Sequence, residues 1–351
     1  MAEIKSVLPA AKIVKETGTF LIVEHQEIPA QEFLNRLGGS IKIGKVISDK
    51  IDKEKILNIL KDQKQDRKLN FGFSYYESKK DNLGMEIKTT LKADGISCRL
   101  VTGRDKALSS VIVTKNRVVE FLVLANHWLA LTEAVQEFEA YGHRDYGRPV
   151  RDMLSGSLPP KLAQIMINLA GLPTGVRILD PFCGSGTILQ EGSLLGYQMI
   201  GSDLSPKAVA DSKQNLAWAV DKLGINKNYQ ISHLDVHDLS KTISQVEGIV
   251  TEPYLGPPLR GYESKREIEK IVEGLSELYL SSFREFKKIL DAKGRIVIVF
   301  PAWRLGQEII ELPILEKIKK LGFTQINKDK LVYSREGQKV WRQIYVFGLV
   351  L

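Results

Sequence analysis

Four acidic residues and a glycine-rich turn hold most of the chemistry available to this chain. Asp180 closes a short apolar run (Val176, Ile178, Leu179) and opens the string Pro181-Phe182-Cys183-Gly184-Ser185-Gly186-Thr187. Glycines in such a turn let backbone N–H groups approach a ligand closely and take dihedrals that a Cβ forbids. Asp203, 23 positions after Asp180, ends a second short run, Asp235 ends a third and Glu252 a fourth. A carboxylate at a strand end can accept from two vicinal hydroxyls, as Asp203 would, or from an amino group, as Asp235 would. Each aspartate alone also reads as a cap of the helix after it. Three at three successive strand ends are harder to explain as caps alone. The fourth run continues Glu252-Pro253-Tyr254-Leu-Gly-Pro-Pro258. A carboxylate and a proline-stiffened carbonyl can take the two N–H protons of an exocyclic base amine and so free its lone pair. An aromatic ring can stack on the base to hold it. The plain alternative is a Pro/Gly-rich loop after a buried strand, with no chemical role.

The elements that must position these groups follow from periodicity. From about residue 175, β-branched runs alternate with helical segments, as in a doubly wound parallel sheet. The expected strands are Val176–Asp180, Gln198–Asp203, Tyr229–Asp235, Gly248–Glu252 and Arg295–Phe300. Helices are expected from Thr187 to Leu195, after the Ser205-Pro206 start signal, over 264–290 and around Ile314–Leu321, with a closing hairpin over 323–334 and 340–349. Residues 1–140 read as α+β without a glycine-rich turn. Strands are expected at Phe20–Glu24, Ile41–Ser48, Leu69–Tyr75, Ser97–Leu100 and Val111–Thr114, and helices at Ala30–Leu37, Lys53–Gln63 and about Gly84–Asp94. Between the halves, Tyr141–Lys161 is dense in Arg, Gly and Pro and is expected to be a linker, leading to a helix at Leu162–Leu172.

With 351 residues the chain has room for two or three domains. No apolar stretch reaches bilayer-spanning length, and the first residues lack a secretory pattern. Cys98 and Cys183 lie far apart, without C-x-x-C or H-x-x-x-H spacing, so a reduced, cytoplasmic setting and no metal site are expected. Cys183 within the turn reads as a packing residue. His25, His127, His143, His233 and His237 form no cluster in the sequence. The net charge of +8 favours an anionic partner, or serves solubility alone; both halves are mildly basic, so charge does not locate the partner.

The string Asp180–Thr187 resembles the first motif of S-adenosylmethionine-dependent amino-methyltransferases, and it is not the G-x-G-x-x-G dinucleotide pattern. In that frame Asp180, Phe182, Gly184, Gly186, Thr187, Asp203, Asp235 and Val236 are the cofactor candidates. Glu252, Pro253 and Tyr254 are the catalytic ones, where the family carries Asp/Asn/Ser-Pro-Pro-Tyr/Phe. Here glutamate stands for aspartate, and one proline before Tyr254 is missing.

The segments Arg144-Asp-Tyr-Gly-Arg-Pro-Val-Arg-Asp-Met153 and Gly156–Leu169 are similar to those preceding the cofactor motif in THUMP-domain tRNA guanine-N2-methyltransferases of the archaeal and eukaryotic type. Leu37–Ile43, Asn70–Tyr75, Leu108–Val113 and Gln338–Ile344 match the same family elsewhere along the chain. The resemblance implies a Rossmann-like class I α/β domain: a mostly parallel seven-stranded sheet with a C-terminal antiparallel hairpin. It divides the chain into a short ferredoxin-like part (1–50), a THUMP-like RNA-binding domain (51–140), a linker with lead-in helix (141–172) and the methyltransferase domain (173–351). The first domain would then be a trimmed version of the family's. It further implies S-adenosyl-L-methionine as cofactor, methylation of a tRNA guanosine amine at position 10, once or twice, and a small zinc-containing activator protein as a partner. Lys42, Lys45, Arg99, Arg104, Arg144, Arg148, Arg151 and Lys161 are the candidate RNA phosphate contacts; each taken singly also reads as a solvated surface charge. A DNA adenine-N6 or cytosine-N4 methyltransferase shares the cofactor and fourth-strand logic, although no helix-turn-helix or target-recognition segment is visible. A noncatalytic RNA-binding protein on the same fold is the third reading.

Overall fold

In this computed structural model, which describes residues 1–63, 68–151, 158–259 and 263–350, the chain forms two compact units. The first comprises Met1 and Glu3–Tyr141, the second Ala2 and Gly142–Leu351.

In the first unit α1 (Ala2–Val7) precedes a two-stranded ribbon of β1 (Lys12–Glu16) and β2 (Leu21–Glu24), then α2 (Ala30–Arg36). A five-stranded mixed sheet follows, in the order β3-β7-β6-β4-β5. Its strands are β3 (Lys42–Ser48), β4 (Leu69–Tyr76), β5 (Cys98–Val101), β6 (Val119–Leu124) and β7 (Trp128–Val135). Helices α3 (Lys53–Lys61) and α4 (Leu83–Ala93) bury Ile56, Leu60, Ile87 and Leu91 against Phe71, Phe73 and Phe121. The strand expected at Val111–Thr114 is instead α5 (Ser110–Lys115). Ser109 caps it by accepting from the Ile112 N–H, and this local bond outweighs the β-preference of Val-Ile-Val. Strands β6 and β7, which the sequence reading did not find, lie in the interior of this sheet.

Helix α6 (Phe138–Tyr146) carries the chain into the second unit, so the expected linker is helical at its start; residues 152–157 lie outside the described ones. The lead-in helix is α7 (Pro160–Leu169). Then come β8 (Arg177–Asp180), α8 (Thr187–Leu194), β9 (Gln198–Asp203), α9 (Pro206–Leu223), β10 (Tyr229–His233), the short α10 (Leu239–Thr242) and β11 (Val246–Thr251). The 25-residue α11 (Lys265–Ile289) starts at a capping box made by Ser264 and Glu267. It is followed by β12 (Leu290–Leu305), β13 (Glu308–Glu311), α12 (Leu315–Lys320), β14 (Phe323–Gln325), β15 (Leu331–Tyr333) and β16 (Val340–Leu349).

The sheet runs β10-β9-β8-β11-β12-β16-β14, with β13 beside the end of β12 and β15 beside β16. Neighbours from β10 to β12 are parallel, whereas β16 is antiparallel to β12, β14 and β15. This is the α/β arrangement that the patterning implied, with the first arm of the closing hairpin split into β14 and β15. One face is covered by α11 and α12 through Tyr279, Phe283, Phe286 and Ile318, the other by α7, α8 and α9 through Met166, Leu189 and Leu216. Strand order reverses between β8 and β11, and ligands of such sheets bind outside the carboxyl ends at that point. Among the described residues no helix is long and apolar enough to cross a membrane.

Candidate active site at the sheet edge

The turn after β8 has the shape its glycines permit. Gly184 and Gly186 take φ of +51° and +85°, left-handed values that side chains resist. A Cβ on Gly186 would stand 2.5 Å from Ser212 Oγ and 2.9 Å from Leu216, so this residue seats the turn against α9. A Cβ on Gly184 would meet nothing within 4 Å; its backbone is the open part of the turn. Asp180 is 1% exposed. Its Oδ1 accepts from Thr251 Oγ1 at 2.7 Å and from the Phe182 N–H at 3.3 Å. Burial, helped by the charges of Asp203 and Glu252, pushes its carboxyl up to about 7 against the hydrogen bonds of Thr251 and Phe182. Cys183 is buried in the same turn. Desolvation raises its thiol well above the ordinary range, as suits packing rather than nucleophilic work.

Asp203 ties the second strand end to the turn. Its Oδ2 accepts from the Gly184 N–H and its Oδ1 from the Ser205 N–H, both at 2.9 Å. Each oxygen keeps a further acceptor site. Asp235 Oδ1 accepts from the backbone N–H and the Nδ1 of His237, at 2.9 and 2.6 Å. The backbone bond first and the imidazole after it hold this carboxyl below its usual range. His237 Nε2 in turn lies 2.9 Å from Ser281 Oγ on α11, a relay that the sequence did not reveal. Val236 is buried beside it, and Phe182 is half-buried against the α11 face.

Glu252 follows β11 directly, and its carboxylate is gripped by Arg342 of β16. Nη2 donates to Oε1 at 3.0 Å and Nε to Oε2. The side chains are 15% and 9% exposed, so this fork is largely withdrawn from water. Arg342 was missed because its partner lies 90 residues earlier; the only signal was the basic residue in Val340-Trp-Arg-Gln-Ile344. Pro253 is buried. Tyr254 is 58% exposed, and its carbonyl accepts from the fully buried Tyr279 hydroxyl at 3.4 Å. Asp180, Asp203, Asp235 and the 252–254 loop thus line one edge, at the ends of β8, β9, β10 and β11.

The basic residues divide differently from the expectation. Lys42 is corrected: its ammonium is buried on Glu120 and also donates to Leu108 O at 2.6 Å, because Glu120 sits inside the first sheet and needs a counter-charge. Arg144 and Arg148 are corrected likewise. Arg144 Nε donates to the buried Glu191 of α8 at 3.0 Å, and Arg148, 3% exposed, donates from Nη1 to Thr187 Oγ1 at 2.6 Å. Asn215 of α9 clasps the Val150 peptide, accepting at 3.0 Å and donating at 2.9 Å, and donates to Ser185 O at 2.8 Å. Residues 144–150 therefore form a strap over the turn rather than a free basic linker. Arg99, Arg104, Arg151 and Lys161 are exposed, Arg151 lying 4.6 Å over the Tyr146 ring; Lys45 is exposed and paired with Glu27. Among the described residues, no group of three or more His, Cys, Asp or Glu could hold a metal ion.

Residues 148–329 match the RMKL-like methyltransferase-domain family, and residues 9–214 match a DNA methylase family. The second match stops before the loop at 252–254. The chain is 41% identical over 101 residues to a tRNA (guanine(10)-N2)-dimethyltransferase of Methanothermobacter thermautotrophicus, covering 29% of this chain and 28% of the relative. To the protein of the same name from Methanocaldococcus jannaschii it is 36% identical over 125 residues, 35% of either chain. The alignments with these first two relatives thus span about a third or less of their length. A namesake from Pyrococcus abyssi aligns over 98% of this chain and 94% of its own length at 23% identity. These names are the ones to which the sequence resemblance pointed. Among solved structures, TrmN from Thermus thermophilus shares the fold with a TM-score of 0.54, at 17% identity over 99% of this chain and 95% of its own. A parallel strand order with a closing antiparallel pair, a glycine turn at the switch point and the match over 148–329 agree. The chain belongs to the RMKL-like methyltransferase-domain family.

Proposed function

We propose that this protein is an S-adenosyl-L-methionine-dependent tRNA methyltransferase acting on the exocyclic N2 of a guanosine, position 10 being the site named for three of its relatives. The observation that carries this is one sheet edge at the switch point bearing three aspartates and, on the fourth strand end, a carboxylate, a proline and an exposed aromatic ring. The edge fits the donor. Gly184 offers open backbone, Asp203 retains acceptor sites for the ribose hydroxyls, and Asp235 can accept from the adenine amino group. When bound, the donor supplies an electrophilic methyl group on a sulfonium. The chain's part is positioning, since holding an amine at about 3 Å and in line removes much of the barrier. Glu252, oriented by Arg342, accepts one N–H of the guanine amine. The loop at Pro253 presents a carbonyl to the other, and Tyr254 stacks on the extruded base.

The first unit is inferred to grip RNA as a THUMP-type domain, with residues 1–50 as its ferredoxin-like lead. Strand β3 of that lead pairs with β7 in the same five-stranded sheet, so the two parts would act together. The match to a DNA methylase family favours a second reading, on DNA adenine or cytosine; it does not reach the loop that would choose the base. Labelled S-adenosylmethionine with total tRNA, in parallel with plasmid DNA, followed by nucleoside analysis, decides. N2-methyl- or N2,N2-dimethylguanosine in tRNA is expected. Label in DNA alone would overturn the proposal, and donor binding without any methylguanosine would favour a noncatalytic RNA-binding role.

A further inference from the structure

Arg148 keeps buried hydrogen-bond donors that the chain does not use. Its guanidinium has five donors, of which Nη1 reaches Thr187 Oγ1, while Nε and Nη2 are buried without a hydrogen-bond partner. The buried acid of α8 does not accept from these two donors. Glu191 Oε1 accepts from Arg144 Nε and from Gln190 Nε2, both at 3.0 Å, and Glu191 Oε2 has no hydrogen-bond partner at all. Asp145 and Glu191 favour the Arg148 charge from nearby, but neither accepts from Nε or Nη2. Buried donors left without an acceptor are unfavourable, so an anionic acceptor from outside the chain is the natural complement. Its setting is fixed. Asn215 holds the Val150 peptide two residues on to the glycine turn, and Thr187 is the first residue of α8, where helix N–H groups favour negative charge.

The geometry points to Arg148 as the residue that binds the α-carboxylate of the methyl donor's amino-acid end, through the Nε/Nη2 side of its fork. This rests on the donor site proposed above. With Asp203 and Asp235 taking the nucleoside toward β9 and β10, the amino-acid end falls at β8 and the start of α8, where Arg148 lies. A planar guanidinium matches a carboxylate with two parallel bonds, which a lysine cannot do. An RNA phosphate is the poorer partner, because the residue is 3% exposed and phosphate contacts run over a surface.

Calorimetry on the full chain tests this without turnover. S-adenosylhomocysteine keeps the carboxylate, and 5′-deoxy-5′-methylthioadenosine lacks the amino-acid end. Arg148→Gln should weaken S-adenosylhomocysteine binding about 10- to 100-fold, as expected for charged hydrogen bonds, and leave methylthioadenosine binding unchanged. Arg148→Lys should recover part of the loss. Equal losses for both ligands, or none for either, would overturn the assignment while leaving the donor site standing. A wild-type protein that binds neither ligand would remove the donor site and this inference with it. If Arg148→Gln does not fold, S-adenosylhomocysteine is compared with its decarboxylated analogue on wild type and Arg148→Lys. The wild type should prefer the carboxylated ligand at least tenfold and the variant less; equal preference in the two proteins would sink the idea.

Discussion

The glycine turn and the fourth-strand loop lie at neighbouring strand ends yet are held in different ways. At the turn, backbone does the holding: Gly184 donates to Asp203, Phe182 to Asp180, and Gly186 packs where no Cβ could. At the loop, a side-chain fork from a strand 90 residues away grips Glu252, and a buried tyrosine hydroxyl holds the Tyr254 carbonyl. A site built from backbone is written in contiguous residues. A site built from sheet register is written in residues that no local pattern joins.

The hardest way to break this comparison is Gly186→Val. The new side chain would strike Ser212 and Leu216 at a left-handed φ, so both folding of the turn and donor binding should be lost. Thermal unfolding and calorimetry read the two together; normal binding would show that the turn does not need its glycine. At the loop, Glu252→Ala should break the largely buried ion pair with Arg342, at a cost of about 3–5 kcal/mol in denaturant unfolding. Turnover should fall about 1000-fold while donor affinity stays within a few fold. Replacing both residues together, as Glu252→Leu with Arg342→Leu, should recover much of the stability and none of the turnover. An active double variant would show that the fork is scaffolding and that another group accepts the amine proton.

How much of this was legible follows from the same distinction. Gln198–Asp203 was read to the residue, and the Ser205-Pro206 start and the α11 boundaries were read nearly so, because caps and periodicity are local signals. The three aspartates could be assigned to strand ends for that reason. Ser110–Lys115 was misread because β-branched residues outvoted a serine cap. Arg342, Thr251 and Asn215 were not found, since their partners are set by strand order and helix packing. The basic residues taught the reverse lesson. Type and spacing named Lys42, Arg144 and Arg148, but burial turned all three inward.

A gentler test uses pH at the turn. Asp180 ionises near 7 in the fold and near 4 when unfolded, so the folded state binds the extra proton between these values. Its contribution to stability is therefore present below about pH 4 and declines as pH rises, levelling off above about 7. Donor affinity should run the other way, rising about tenfold from pH 6 to 8, because an ionised Asp180 attracts a cationic sulfonium. Asp180→Asn should flatten both profiles. The neutral S-adenosylhomocysteine sulfur should show the weaker dependence, and an equal dependence for both ligands would place the titrating group elsewhere.

The smallest effect lies on the RNA side and asks whether inward and outward charges differ as the packing says. Arg151 is exposed, so Arg151→Ala should weaken tRNA binding about threefold and lower the salt slope by about 1. Lys42 is already neutralised by Glu120 inside the first sheet, so Lys42→Met should destabilise that unit without changing the slope, provided the comparison is made well below its melting temperature. Fluorescence anisotropy at two salt concentrations reads the difference. If Lys42→Met changed the slope and Arg151→Ala did not, phosphate would be reaching the lysine through an opening of the first sheet, and its ion pair with Glu120 would be a resting state that RNA displaces.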